Sequence, residues 1–145
     1  MITPRSILLA CRTGMLLLCL ICITAQAEPQ QKFCPLMVED PIDADEFVTY
    51  KGVKVYTCCG SCKVLWRQNP DYFAVVARAQ APQLAAVAPK DIKPLAQLFC
   101  PVYTDRRVHP KSLALVHNGR TIYFSRERAR ERFQENPDKF LQQLK

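Results

Sequence analysis

The chain is poor in the residues that most catalytic signatures require. Only two histidines, His109 and His117, and four glycines occur among its 145 residues. No glycine loop suited to cradling a phosphate is present, no carboxylate pair stands out, and no Ser/His/Asp set can be assembled. Basic stretches interleaved with stacking aromatics are missing, which argues against a nucleic-acid module. No parallel βαβ pattern flanks any motif. Once the first 27 residues are set aside, nothing approaches the ~20 apolar residues of a membrane span. What the chain does have is cysteine, eight in all.

Three of those cysteines belong to a leader. Arg5 and Arg12 precede an apolar run from Met15 to Ile23, and Ala25-Gln26-Ala27 follows. A basic start, a short apolar core and an A-x-A site are the parts of a cleaved secretory signal. The expected mature chain begins at Glu28, and the expected location is periplasmic or secreted. An uncleaved membrane anchor reaching back to Ile7 is the alternative. Cys34, Cys58, Cys59, Cys62 and Cys100 then remain. An even count in an exported chain reads as a disulfide framework, whereas five leaves at least one thiol or metal ligand. Export also means an oxidising compartment, where disulfides compete with metal binding.

The leader removes two of twenty basic residues and none of thirteen acids, leaving a net charge of +5. The excess lies late, where Arg126, Arg128, Arg130 and Arg132 alternate with Glu127 and Glu131. That alternation reads first as a solvated helix face.

Residues 28–32 read as a flexible lead, and Cys34-Pro35 as a tight turn. Asp43 to Asp45 reads as loop. Phe47–Tyr50 and Val53–Thr57 are β-prone, with Lys51-Gly52 as the hairpin turn between them. Helical spacing follows Cys62 and is halted at Asn69-Pro70, after which a second helix starts. Residues 80–97, rich in Ala, Pro and Lys, have a linker composition.

The remainder repeats this plan. Phe99-Cys100-Pro101-Val102 matches Phe33-Cys34-Pro35-Leu36, and Asn118-Gly119 is a strong hairpin turn. Phe133, Asn136-Pro137-Asp138 and Phe140 match Trp66, Asn69-Pro70-Asp71 and Phe73. The expected fold class is α+β, with a repeat at 28–79, a linker at 80–97 and a degenerate repeat at 98–145. In the second copy Ser125, Arg126 and Ala129 replace Cys58, Cys59 and Cys62, and Tyr103 replaces Met37. Ser125 reads as a helix N-cap. The thiol cluster is therefore dispensable for the scaffold, which marks it as a site.

Cys58, Cys59 and Cys62 stand at a strand-to-helix junction, and a strand pair can bring Cys34 alongside. Converging sulfurs from two segments suit one heavy-metal ion, with four thiolates fitting Zn²⁺ and thiolates plus the thioether of Met37 fitting Cu(I). Met37 also reads as core filler. The same atoms support a thiol–disulfide redox protein acting through Cys59 and Cys62, or a structural disulfide. A third reading is a partner-docking module whose contact surface is the basic second copy, with Arg128 and Arg132. Cys100 reads as a buried small residue, with a disulfide staple between copies as the alternative, and His117 as a strand-end residue.

The first unit resembles the YHS domains and the related TRASH-like metal-binding domains. The matching residues are Cys34-Pro35, the hairpin Tyr50-Lys51-Gly52-Val53-Lys54-Val55-Tyr56, Cys58-Cys59-Gly60-Ser61-Cys62, and Asn69-Pro70-Asp71-Tyr72-Phe73. The resemblance covers about forty residues strongly and the second copy weakly. It implies a treble-clef-like repeat of knuckle, hairpin and short helices around a metal, with Cys34, Cys58 and Cys62 as ligands and Cys59 as an additional thiol. It implies heavy-metal binding without catalysis, in trafficking, scavenging or tolerance. Taken with the leader, the expected partner is a metal-transport or metal-receiving protein.

Overall fold

The computed structural model describes residues 31–144. The expected leader, residues 1–27, lies outside them. The architecture is mixed α+β, with two small antiparallel hairpins and several short helices. In chain order these are β1 (Asp43–Tyr50), β2 (Val53–Thr57), α1 (Gly60–Gln68), α2 (Pro70–Val76), β3 (Leu113–His117), β4 (Arg120–Phe124), α3 (Glu127–Glu135) and α4 (Pro137–Leu141). Short 3₁₀ turns occupy Pro82–Ala86 and Gln142–Leu144. No helix among the described residues is long and apolar enough to cross a membrane.

Both hairpins close through two-residue turns with both central residues at positive φ: Lys51 (47°) and Gly52 (82°), then Asn118 (49°) and Gly119 (75°). That twist matches the right-handed twist of the strands, so the register is set by the turn. β1 is longer than the sequence pattern indicated. Asp43 pairs with Thr57, and the register slips before Phe47 pairs with Tyr56, so the acidic stretch expected as loop is an irregular, mostly exposed strand start.

Each copy buries its own core. Val48, Tyr50 and Val55 of the first hairpin face Cys62 and Trp66 of α1 and Tyr72 and Phe73 of α2. Trp66 stacks on Phe73 with ring centroids 6.0 Å apart, and Tyr50 meets Trp66 edge-on at 5.9 Å. In the second copy Ile122, Phe124, Ala129, Phe133 and Phe140 take the corresponding places. Proline at the first position of α2 and α4 keeps each short helix distinct from the one before it, because Pro cannot donate to the preceding turn.

The polar residue ahead of each knuckle is a clamp, not a lead. Gln31 donates to the carbonyls of Phe33 and Tyr56 and accepts from the Tyr56 N–H. Gln97 does the same with Phe99 and Tyr123. Both glutamines are buried. Gln97→Ala leaves backbone groups at Phe99 and Tyr123 without partners, and about 2 kcal/mol of stability should be lost. Urea denaturation followed by circular dichroism measures it, and an unchanged midpoint would rule the clamp out.

The Ala/Pro segment also packs. Ala81 and Leu84 are fully buried in the first core, and Leu95 N–H donates to the Tyr72 hydroxyl at 3.3 Å. Linker composition misses this because small and apolar residues are ambiguous when no period orders them.

The two copies join through their knuckles. Val38 N–H donates to Asp105 O at 2.8 Å and Arg107 N–H to Leu36 O at 2.9 Å, with Met37 opposite Arg106. The buried Arg107 guanidinium donates to Pro35 O (2.8 Å) and Gln80 Oε1 (2.7 Å), and lies over the Phe99 ring at 4.8 Å. Burial lowers its pKa to about 10, so it stays a cation at neutral pH.

His109 closes the same junction, its ring 5.2 Å from that of Phe73. Its Nδ1 accepts from Lys111 N–H, which requires an unprotonated nitrogen there. Burial, with Lys111 nearby, holds its pKa below the ordinary ~6.5. Below that ordinary value the unfolded chain binds a proton that the folded chain refuses, so stability should fall as pH drops below about 6.5. His109→Leu should flatten that slope in thermal melts. An unchanged slope would assign the acid sensitivity elsewhere.

Candidate metal centre

Local folding explains why the sulfurs meet. β2 ends at Thr57, whose hydroxyl donates to the carbonyls of Glu46 and Cys59 and so fixes the turn into α1. Cys59 is the N-cap of α1 in an extended conformation, Cys58 precedes it, and Cys62 lies in the first turn on the buried face. Cys34 sits in the knuckle, where its N–H donates to Asp40 O and its sulfur accepts from Met37 N–H at 3.5 Å. The second knuckle repeats the backbone pattern, with Cys100 N–H donating to Arg106 O.

Cys34, Cys58 and Cys62 place their sulfurs within 4.8 Å of one another. The Cys58–Cys62 separation is 3.6 Å, and Cys59 lies 3.7 Å from each of them. Met37 Sδ is 3.9 Å from Cys58 Sγ. Thiolates bonded at ~2.3 Å to one ion stand roughly 3.8 Å apart in a tetrahedron and roughly 4.0 Å apart in a plane. The Cys58–Cys62 spacing needs only a slight opening to meet either, and Cys34 lies within 4.8 Å of both. The donor set therefore fits a metal ion, with Cys34, Cys58 and Cys62 as its holders. Cys59 meets Ser61 Oγ at 3.0 Å while its sulfur stays beside those of Cys58 and Cys62, and Met37 borders the group through Cys58.

The protonation pattern follows from the crowding. The neighbouring Cys62 thiol pulls Cys34 down to about 6, with burial opposing. The same proximity, with burial, pushes Cys62 up. Burial, then the Cys34 charge, raises Cys58 to about 12. One thiolate among thiols is what such a cluster can carry without a cation, and a bound cation favours the rest. Cys59 is lowered, chiefly by the Ser61 hydroxyl.

Cys100 is fully buried in the second core, and all five described cysteines are free. His109 and His117 pack against Phe73 and Phe133, away from the thiols. Ser125 departs from expectation, since the N-cap of α3 is Arg126 and no side chain caps that helix. One residue class was missed from sequence altogether. Arg106, of the second copy, shares a cavity with Cys62 and Met37, and only the pairing of the knuckles brings it there. Comparison with family models, with curated proteins and with solved structures finds no match to the chain.

Proposed function

We propose that the protein is an exported, non-catalytic holder of one soft heavy-metal ion, Cu(I) or Zn²⁺, acting in metal trafficking, scavenging or tolerance. The observation that carries this reading is the convergence of three thiols, from a knuckle and a helix start, at ligand spacing. Their half-buried to buried setting shields a thiolate–metal bond from water and limits competing oxidation. Each repeat reads as a treble-clef-like unit of the YHS/TRASH type, with the first retaining the ligands and the second kept as scaffold. The core explains the economy of the design. A unit of this size buries little apolar surface, and a metal site supplies stability that the core does not.

The test is to purify the protein without oxygen, reconstitute it with each ion, and count bound metal and free thiols together. One equivalent of Cu(I) or Zn²⁺ with loss of reactive thiols is expected. Failure to retain either ion would overturn the reading.

A second reading, thiol–disulfide exchange, draws support from one specific feature. The Cys59 thiolate is favoured by Ser61 and stands 3.7 Å from the buried Cys62, as an attacking and a resolving thiol would. Reversible Cys59–Cys62 oxidation with dithiol turnover, in protein that binds no metal, would establish it.

A further inference from the structure

The four thiols of the first copy make two triangles. Cys34, Cys58 and Cys62 stand within 4.8 Å of one another. Cys58, Cys59 and Cys62 make the second, with sides of 3.7, 3.7 and 3.6 Å. Cys59 is close to two members of the first group but does not belong to it, so it stands more than 4.8 Å from Cys34. Two thiolates bonded at ~2.3 Å to one ion are at most ~4.6 Å apart, even on a straight line. As the sulfurs stand, no single ion bonds Cys34 and Cys59 together. The triangles share the Cys58–Cys62 edge and differ only in the third vertex.

Those third vertices lie at different depths. Cys34 is fully buried in the first core. Cys59 is half-buried and meets the hydroxyl of the exposed Ser61. An ion on the inner triangle is anchored by a sulfur that no second molecule can touch. On the outer triangle it is held by a sulfur at the surface, where an incoming donor can reach it. Passage between them exchanges one bond of three. Either triangle leaves Zn²⁺ one ligand short of its usual four, whereas an all-sulfur set suits the softer Cu(I).

We propose that Cys58, Cys59 and Cys62 form an outer station for the same Cu(I) ion, from which it passes to an acceptor that presents a thiolate. This rests on the metal-holding function proposed above. In the shift, the copper–sulfur bond to Cys34 breaks and one to Cys59 forms. The Cys59 thiol gives up its proton to solvent, and Cys34 takes one up. The acceptor thiol loses its proton to water as its sulfur bonds the ion, and the protein thiolates it displaces are protonated from water. Copper stays Cu(I) throughout, so no electrons are exchanged. A thiolate acceptor matches the softness of the ion.

The experiment compares wild type, Cys34→Ser, Cys58→Ser, Cys59→Ser and Cys34→Ser/Cys59→Ser, loaded with one equivalent of Cu(I) without oxygen. A chromophoric chelator reports affinity, and iodoacetamide labelling read by mass spectrometry reports which cysteines are protected. Cys58 belongs to both triangles and Cys34 to one. Cys34→Ser should therefore keep Cu(I), with Cys59 newly protected, at a cost near that of an outer-shell change, roughly tenfold. The double variant should fall to the level of Cys58→Ser. Cys59→Ser should keep Cu(I) on Cys34, Cys58 and Cys62, but glutathione-driven release to the chelator should slow roughly tenfold. If circular dichroism shows Cys34→Ser unfolded, the release rate of Cys59→Ser decides alone. Release from Cys59→Ser at the wild-type rate would overturn the proposal, as would folded Cys34→Ser losing as much affinity as Cys58→Ser. Two Cu(I) ions bound at once in wild type and one in Cys59→Ser would also overturn it, since both triangles would then be filled together. Wild type that retains no Cu(I) overturns the proposed function itself, an outcome distinct from these.

Discussion

Replacing Cys58 with serine should lower metal affinity more than about a hundredfold. Changes one shell beyond a metal already cost roughly ten- to a hundredfold, and under the proposed function this change removes a ligand. The substitution is nearly isosteric, and Cys58 is only half-buried and outside α1, so the fold should survive it. A hydroxyl stays protonated beside a soft ion and replaces a thiolate poorly. Cys100→Ala is the matched control, since that sulfur belongs to the second core and has no thiol neighbour. Competition with a chromophoric chelator gives the affinity, and circular dichroism confirms the fold. Wild-type affinity in Cys58→Ser would remove this cysteine from the site and with it the three-thiol reading.

Phe73→Ala should be the most damaging single change to the scaffold, costing about 3–5 kcal/mol. The ring is fully buried, stacks on Trp66, meets Tyr72 edge-on at 5.9 Å and touches His109 across the junction of the copies. Its loss opens a cavity where both helices of the first copy meet the second copy's His109. Against a total of about 5–15 kcal/mol for a protein of this size, that approaches global unfolding. Trp66 fluorescence in a denaturant series measures it. A loss under 1 kcal/mol would mean that the two copies support each other less than their contacts suggest. Metal should recover part of the loss, because a ligand that binds only the folded chain stabilises it by mass action.

The repeat, the hairpins and the thiol cluster were legible in the sequence because each rests on local chemistry. Lys51-Gly52 and Asn118-Gly119 specify their turns by accepting positive φ. The prolines at 70 and 137 separate short helices by removing a donor. The cysteine spacing places three sulfurs at one strand-to-helix junction, and comparison with the second copy separates those thiols from the scaffold. The roles of Gln31, Gln97 and Arg107 were not legible. Each is a polar residue whose partners are chosen by the way distant segments meet, and no period or spacing carries that information. Composition likewise cannot show whether an Ala/Pro segment packs, which Leu84 and Leu95 decide through the first core. The sequence by itself therefore determined the mixed α+β class, the two hairpins and the cluster of soft donors. Only the tertiary structure decided that the knuckles pair and which thiols converge with Cys34. It also set Arg106 of the second copy beside them, because those outcomes depend on long-range backbone pairing and burial.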